Sequence, residues 1–283
     1  MKIIVANWKM NHAFDEADAW IESFFKNFSG KSEQLNDVEM VVCPPVLMLD
    51  YIDSELMDDG FKQLEEIMKN EQKEMEDFSP EELTETVLTN RPFKLGAQDC
   101  HQELVGSFTG DISASMLTKV GCEYVILGHS ERRLAPHFET NEIVAKKIES
   151  ALSQNLTPII CVGESRSTRD SGQHLEFISQ QIVNSIPHAE AGTFKKLIIA
   201  YEPIWSIGTG ITPTVEQISE VTQLVRKIFS EEFFGIAEEY FLLYGGSVTS
   251  KNSKEILAIP GINGLLVGSA SLDAEEFVNI AAS

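Results

Sequence analysis

The run Tyr124-Val125-Ile126-Leu127, which leads into Gly128-His129, shows most clearly how this chain folds. Its residues are apolar, two of them are β-branched, and no polar residue alternates with them. This pattern is typical of a strand buried on both faces of a parallel sheet. Seven further runs share it: Ile3–Asn7, Val38–Pro44, Phe93–Asp99, Pro158–Gly163, Leu197–Glu202, Tyr240–Gly245 and Ile262–Gly268.

Helical patterns lie between most of these runs, so the chain alternates between strand and helix. Such alternation predicts an α/β protein built from βα units around a parallel sheet. The chain has 283 residues, and a (β/α)8 barrel takes about 250 residues. Residues 1–283 therefore fit a single (β/α)8 barrel with one insertion. An open, doubly wound sheet would give the same alternation, so the pattern favours closure without deciding it.

The longest interval between runs separates the second from the third, and it contains an acidic insertion. Residues 50–91 hold fourteen acidic and four basic residues. An apolar stripe at helical spacing from Phe61 to Met68, and a capping box that opens at Ser79, predict two short helices here. The segment is either a solvated acidic excursion or an arm that binds a partner. We expect it to leave the barrel away from the active site and to spare catalysis.

Composition narrows the classes of partner. The formal net charge of −22 would repel nucleic-acid phosphates and anionic lipid, so we predict neither nucleic acid nor membrane as a partner. The apolar runs are shorter than the ~18 residues of a membrane span, so we expect no spanning helix, and we expect no signal peptide before the first run. The four cysteines form no C-x-x-C pair, which favours reduced thiols in a cytoplasmic protein without a metal site.

Three chemically useful side chains follow the predicted strands: Lys9, His129 and Glu202. Barrel enzymes place their active sites at the carboxyl ends of the strands, so these residues should share one rim. Gly246-Ser247 and Gly268-Ser269 lie at the same rim, where backbone N–H groups can approach an anion. Taken singly, each side chain could be structural: a core histidine, an ion-paired glutamate or a solvated lysine. Their convergence favours proton-transfer chemistry on a small phosphorylated substrate.

Nearly the whole chain outside the insertion resembles the triosephosphate isomerase family. The resemblance is carried by motifs that lie in the family's order at the predicted strand ends. They are Ala6-Asn7-Trp8-Lys9-Met10-Asn11, Leu95-Gly96-Ala97-Gln98, Ile126-Leu127-Gly128-His129-Ser130-Glu131-Arg132-Arg133, Cys161-Val162-Gly163-Glu164, Ala200-Tyr201-Glu202-Pro203-Ile204-Trp205, Ile207-Gly208-Thr209-Gly210 and Tyr244-Gly245-Gly246-Ser247.

The resemblance implies a TIM barrel that interconverts dihydroxyacetone phosphate and D-glyceraldehyde 3-phosphate without a cofactor, in glycolysis and gluconeogenesis. It implies that Glu202 is the base and that His129, as a neutral imidazole, polarises the carbonyl. The remaining implied site residues stabilise the oxyanion, support these groups or bind phosphate. They are Lys9 and Asn7 for the oxyanion, Ser130 and Glu131 in support, and Gly208, Ser247, Gly268 and Ser269 for phosphate.

The resemblance also implies a mobile lid over residues 203–213 and a homodimer formed through the loop after strand three, around Thr109. Several positions depart from the family pattern. Asp99 in that loop could weaken or retune the dimer contact. Ser269 keeps its backbone N–H, so phosphate binding survives there if its φ is negative. The other departures are Ile211 and Pro213 at the lid hinge, and Asn263 where an aspartate commonly pairs with an arginine like Arg226.

Two other classes of function stay open from the residues alone. One is a catalytically impaired homologue that serves as a binding protein through the acidic insertion. The other is a phosphate-binding barrel that acts on a different sugar phosphate. The presence of Asn7, Lys9, His129 and Glu202 argues against the first, and the Tyr201–Trp205 motif argues against the second.

Overall fold

A computed structural model of the protein describes residues 1–71, 78–207 and 211–283. Eight parallel strands form a closed barrel, in which each strand pairs with the next along the chain and β8 pairs with β1. Closure decides against the open doubly wound sheet. The strands are β1 Lys2–Asn7, β2 Val38–Cys43, β3 Lys94–Ala97, β4 Cys122–Leu127, β5 Thr157–Val162, β6 Phe194–Tyr201, β7 Ala237–Tyr244 and β8 Gly264–Val267.

Every predicted run overlaps one of these strands, but the prediction placed most carboxyl ends one or two residues too late. Strand β4 ends at Leu127 rather than His129, and β6 ends at Tyr201 rather than Glu202. The chain leaves the sheet at these points, and Gly128 does so with a φ of 66°. The extra residues therefore lie on the rim, where their side chains are available to the site.

Helices follow the strands around the outside of the barrel. They are α1 Phe14–Ser29, α2 Ser32–Leu35, α3 Leu49–Glu71, α4 Pro80–Thr89, α5 Ala114–Lys119, α6 Ser130–Arg133, α7 Asn141–Ser153, α8 Arg166–Asp170, α9 His174–Ser185, α10 Val215–Glu231, α11 Ser253–Leu257 and α12 Ala274–Ala281. Short 3-10 turns cover Val46–Met48, Ile204–Ser206 and Ser269–Leu272. Within the described ranges, no helix is both long and apolar enough to cross a membrane.

The alternation of side chains along each strand divides the apolar core into two layers. In β1, Ile3 and Val5 belong to a cluster inside the barrel with Tyr124 and Ile126, whereas Ile4 and Ala6 belong to the outer cluster that the helices cover. Successive strand residues point to opposite faces, so one strand serves both layers. The continuous apolar runs of the sequence are the consequence.

The acidic insertion is a helical hairpin made of α3 and α4. The prediction of two short helices was wrong for the first, because α3 is one helix of 23 residues. Its beginning, at Leu49, Ile52 and Leu56, packs against the barrel. Its later part packs on α4 around a separate small cluster of Leu64, Met68 and Val87. Apart from Gly60, the sequence of α3 contains no strong helix breaker, so the barrel's own helix continues outward.

The two helices of the hairpin come closest at Gly60. A Cβ atom at that position would lie 2.4 Å from Val87 Cγ1, so only glycine permits the contact. Helix α4 begins as predicted, with the Ser79 hydroxyl accepting from the Glu82 N–H at 3.2 Å. It ends at Thr89, shortly before β3 starts at Lys94. The hairpin thus rejoins the barrel at the amino ends of the strands, opposite the rim that carries His129 and Glu202.

Candidate active site

The end of β1 presents an amine in an unusual backbone conformation. Lys9 has a φ of 54°, a left-handed value that costs free energy in a residue with a side chain. The Lys9 N–H donates to Asn7 Oδ1 at 3.0 Å, and Gln98 Nε2 donates to the Lys9 carbonyl at 2.8 Å. These two bonds hold the turn. The Lys9 ammonium reaches Glu131 at 2.8 Å, as expected for a residue that positions the amine.

His129 lies at the start of helix α6 with its ring buried. The Glu131 N–H donates to Nδ1 at 3.2 Å, so Nδ1 must be the acceptor nitrogen. Nε2 then carries the proton and lies 2.8 Å from Glu202 Oε1. Burial lowers the pKa of His129, but the Glu202 carboxylate outweighs burial and raises the pKa above its ordinary value. The proton-bearing nitrogen therefore faces the carboxylate directly.

Glu202 is 2% exposed and bound on both of its oxygens. Oε1 faces His129, and Oε2 accepts from the Ser130 N–H at 2.9 Å. Burial raises the pKa of Glu202, but His129, the Ser130 N–H and Lys9 together outweigh it and hold the pKa below its ordinary value. The carboxylate is therefore ionised, as a general base must be.

Gly163 fixes where the Glu202 backbone can lie. A Cβ atom on Gly163 would fall 1.7 Å from the Glu202 carbonyl oxygen, so the two strand ends approach more closely than any side chain allows. The Glu202 N–H also donates to the Val162 carbonyl at 2.7 Å. The ends of β5 and β6 are thus locked together, and the position of the carboxylate follows from that contact.

A cavity of 450 Å³ joins these groups to the two glycine-serine loops. Its size is typical of a site for a small ligand. Ser269 starts a 3-10 turn and is absent from the described residues with positive φ, so the condition on its backbone is met. Gly208 lies outside the described residues. The cavity is lined by Asn7, Trp8, Lys9, Asn11, His129, Glu202, Ile207, Gly245, Gly246, Ser247, Val248, Thr249, Leu266, Gly268, Ser269 and Ala270.

Glu164 organises the segment after β6, a role that its motif alone did not predict. Its Oε1 accepts from Trp205 Nε1 at 2.8 Å, from the Tyr201 hydroxyl at 3.2 Å and from Arg169 Nε at 2.8 Å. The side chain is fully buried. The Glu164 carboxylate therefore anchors the beginning of the predicted lid, and it does so through its hydrogen bond with Trp205. A tryptophan three residues after Glu202 was the available signal.

Arg133 is a second residue whose role the sequence did not reveal. Its Nε donates to the carbonyls of Gly128 at 2.8 Å and Cys161 at 3.3 Å, and Nη1 donates to Asn141 Oδ1 at 2.7 Å. It ties the chain just before His129 to strand β5. Burial lowers the pKa of Arg133 below its ordinary value, because desolvation disfavours the charged guanidinium. Arg133 thus helps to hold His129 in place by fixing the backbone that precedes it.

Two of the residues that depart from the family pattern, Asp99 and Asn263, form contacts within their own chain. Asp99 binds Lys147 at 2.7 Å and Arg132 at 2.7 Å, so its carboxylate is taken up within its own chain. Asn263 Oδ1 accepts from the Leu242 N–H at 3.0 Å. Within the described ranges Asn263 forms no hydrogen bond to Arg226, so the pairing that an aspartate commonly makes with such an arginine is absent.

The loop from Gln98 to Ser113, which contains Thr109, carries several exposed apolar side chains. Val105 is 89% exposed, and Leu104 and Phe108 are also exposed. Met10, on the loop after β1, is 96% exposed. In the described part of the chain, no group of three or more histidines, cysteines or acidic residues could hold a metal ion.

Known proteins with similar sequences and folds point to one family. The family model described as "Triosephosphate isomerase" matches residues 2–74 and 75–283. The triosephosphate isomerase of Amoebophilus asiaticus is 37% identical over 98% of this chain and 97% of its own length. That of Dictyoglomus turgidum is 38% identical over 100% and 99%. A crystal structure of the Bartonella henselae enzyme superposes with a TM-score of 0.75 at 30% identity, covering 99% of this chain and 97% of its own.

Proposed function

The chain belongs to the triosephosphate isomerase family, and on that premise we propose that it interconverts dihydroxyacetone phosphate and D-glyceraldehyde 3-phosphate through an enediolate. The observation that carries the proposal is the contact between His129 Nε2 and Glu202 Oε1 at 2.8 Å beside the Lys9 amine. A base, a hydrogen-bond donor and a cation in one cavity are the groups that proton abstraction next to a carbonyl requires.

In the proposed reaction Glu202 takes a proton from one carbon of the substrate and returns it to the neighbouring carbon. The electron pair of the broken C–H bond forms a new C=C bond, and the π pair of the carbonyl moves onto its oxygen, which gives the enediolate. The ammonium of Lys9 and the amide of Asn7 stabilise the negative oxygen. His129 donates from Nε2 and transfers the proton between the two oxygens, so no proton is gained or lost over the cycle.

We propose that His129 reacts as a neutral imidazole, because the Glu202 carboxylate raises its pKa only while it faces the ring. Burial and Lys9 lower the pKa of His129, whereas the Glu202 carboxylate and, to a smaller extent, Glu131 raise it. When Glu202 turns from His129 toward the substrate carbon, the raising influence weakens and the lowering ones remain. The Glu131 N–H on Nδ1 also opposes a second ring proton. A neutral imidazole then polarises the substrate carbonyl.

Backbone N–H groups would hold the substrate phosphate, with Ser247, Gly268 and Ser269 in the cavity and Gly208 on the lid. This arrangement suits a chain with a net charge of −22, because oriented amide dipoles bind an anion without a surplus of cationic side chains. Residues 203–213 would close over the substrate and exclude water. The anchoring of Trp205 by Glu164 supports one fixed end for that movement.

The proposal includes a homodimer, a cytoplasmic location and a place in glycolysis and gluconeogenesis. The exposed Val105 and Phe108 on the loop that contains Thr109, together with the exposed Met10, support a second copy as the partner. Isolated exposed apolar residues are ordinary, but several on one loop mark an interaction surface. The four cysteines are free and buried, which fits a reducing compartment.

A coupled isomerase assay of the wild type and Glu202→Gln tests the proposal. We expect the amide, which cannot accept the substrate proton, to lower kcat by about a thousandfold or more. Its thermal unfolding should stay cooperative, and Glu82→Gln on the hairpin serves as a matched control with wild-type rates. Equal rates for the wild type and Glu202→Gln would overturn the mechanism. An inactive wild type would instead favour a binding protein. Activity on another sugar phosphate alone would favour a phosphate-binding barrel with a different substrate.

A further inference from the structure

A second cavity, of 490 Å³, lies at the opposite end of the barrel from the active site. Asn263 immediately precedes β8, and its carbonyl accepts from the N–H of Ile3 near the start of β1. Gly268 and Ser269, two of the proposed phosphate-binding residues, follow the other end of β8. The cavity is lined by Arg226, Phe229, Ser230, Phe234, Tyr240, Leu242, Gly261 and Asn263.

Arg226 differs from the other arginines in having no acceptor. Arg91, Arg132, Arg166 and Arg169 each bind a carboxylate, and Arg133 binds carbonyls and side-chain oxygens. Within the described residues, Arg226 has no hydrogen bond or ion pair. A guanidinium offers five donors in a planar fork that matches a carboxylate or a phosphate. Its donors are therefore available to a molecule outside the chain.

The path of the Arg226 side chain is fixed by Gly261. A Cβ atom on Gly261 would lie 2.9 Å from Arg226 Cδ, and Gly261 has a φ of 98° that disfavours any other residue. The methylene groups thus lie over a glycine that leaves space for them. Packing of the stem reduces the conformational freedom that the side chain would lose on binding an anion.

Asn263 adds a second donor to the cavity without supplying an acceptor. Its Oδ1 is occupied by the Leu242 N–H at 3.0 Å, and its Nδ2 has no acceptor among the described residues. An aspartate at this position would offer the guanidinium an internal partner. With asparagine, two of the lining residues offer donors and none of them is a carboxylate.

Three of the lining residues, Phe229, Phe234 and Tyr240, are aromatic. The rings of Phe229 and Tyr240 lie 5.0 Å apart between centroids, and Phe234 is 85% exposed. The Tyr240 hydroxyl donates to the Phe233 carbonyl and accepts from the Ala237 N–H, so this ring is held in place. An exposed phenylalanine beside an unpaired guanidinium suits a ligand that has both a flat apolar part and an anionic group.

We propose that this cavity binds a small aromatic carboxylate, with its anionic group on Arg226 and Asn263 and its ring against Phe234. The charge of the whole chain opposes any anion at long range, so affinity depends on these short contacts and on burial of the ring. Both parts of the ligand are therefore needed. A carboxylate without a ring should bind much more weakly than one with a ring.

Isothermal titration of the full chain with benzoate, and separately with acetate, tests the proposal. We expect benzoate to bind at least about tenfold more tightly than acetate. Arg226→Gln should weaken benzoate binding by about tenfold, through loss of a charge-assisted bond. Asn263→Asp should weaken it equally, because the new carboxylate occupies Arg226. Phe234→Ser, at an exposed position, should remove the preference for benzoate over acetate.

These variants keep the question separate from the isomerase activity. All three should retain wild-type kcat and KM, because none of the residues lies in the active-site cavity. Benzoate binding that is no tighter than acetate binding, or that is unchanged in both Arg226→Gln and Asn263→Asp, overturns the proposal. Should Arg226→Gln fail to fold, Asn263→Asp and Phe234→Ser still decide it.

Discussion

The barrel and the hairpin of α3 and α4 are stabilised on different scales. Among the described residues, the cluster inside the barrel contains thirteen buried side chains, whereas the hairpin's own cluster contains three. The barrel also carries the buried charges of the active site, while the charges of the hairpin are mostly exposed. Stability is thus concentrated where the functional groups must be held, and the hairpin depends on the barrel to stay folded.

Gly163→Ala should have the largest effect, because it places a side chain at the close contact between Gly163 and the Glu202 backbone, where the ends of β5 and β6 leave no room for one. The added Cβ would fall 1.7 Å from the Glu202 carbonyl oxygen. We expect unfolding free energy to fall by about 3 kcal/mol and kcat/KM to fall about a hundredfold, because Glu202 must move. Urea unfolding and the isomerase assay measure both. Gly30→Ala is the control, since its Cβ would lie at an ordinary 3.7 Å from the Asn27 carbonyl oxygen.

Two leucines on α3 allow the stability of the barrel and that of the hairpin to be compared directly. Leu56 packs in the barrel's outer cluster and Leu64, two turns along α3, packs in the hairpin. Leu56→Ala should lower the unfolding free energy by about 3 kcal/mol. Leu64→Ala should cost about 1 kcal/mol and mainly speed hydrogen exchange within the hairpin. Equal losses in global stability would mean that barrel and hairpin unfold as one unit.

Acidity should affect the two regions differently. The pKa of His129 is raised in the folded protein. The stabilisation by its charge is therefore complete below pH 6.5 and is lost as the pH rises through the raised pKa. The pKa of Glu202 is lowered, so its contribution is complete above 4.5 and is lost as pH falls through the lowered value. The stability difference between wild type and His129→Gln should therefore peak between pH 4.5 and 6.5.

Glu82→Gln on the hairpin is the matched control for that pH profile. The N–H and hydroxyl of Ser79 lower the pKa of Glu82, but this carboxylate is fully exposed. Solvent screens its interactions, so its removal should leave the pH profile of global stability nearly unchanged. A profile for His129→Gln that runs parallel to the wild type across this range would contradict an ion pair at the active site.

Removal of the outer hairpin should have the smallest effect on catalysis. Replacing residues 61–86 with a short Gly-Ser link cuts the hairpin just outside the Gly60–Val87 contact and keeps Leu56 and the Asp53–Arg91 ion pair at 2.7 Å. We expect kcat/KM to stay within about twofold of the wild type. A folded variant that has lost its activity would show that the hairpin supports the active site.

The sequence allowed the strands and the meeting of the site residues to be predicted for one geometric reason. In a closed parallel barrel, all carboxyl ends lie on one rim, so Lys9, His129 and Glu202 must be neighbours once the eight runs are recognised. Apolar runs mark strands well. They mark strand ends poorly, because the rim residues continue the pattern after the sheet has ended at Leu127 and Tyr201.

What escaped prediction depends on contacts between residues far apart in the chain. The left-handed turn at Lys9 is held by Gln98, and Asp99 is neutralised by Lys147 and Arg132. No local pattern encodes either pairing. The length of α3 escaped as well, because its later part is stabilised by packing against α4 around Leu64, Met68 and Val87.

The narrow crossing of the hairpin at Gly60 and Val87 gives the molecule a graft point. Two chain positions that lie far apart in sequence come side by side there, on the face turned away from the substrate. A foreign domain whose termini are close together could replace the tip, with little cost in chain entropy and no change in the catalytic rim. The same separation predicts that substitutions within residues 61–86 leave turnover unchanged.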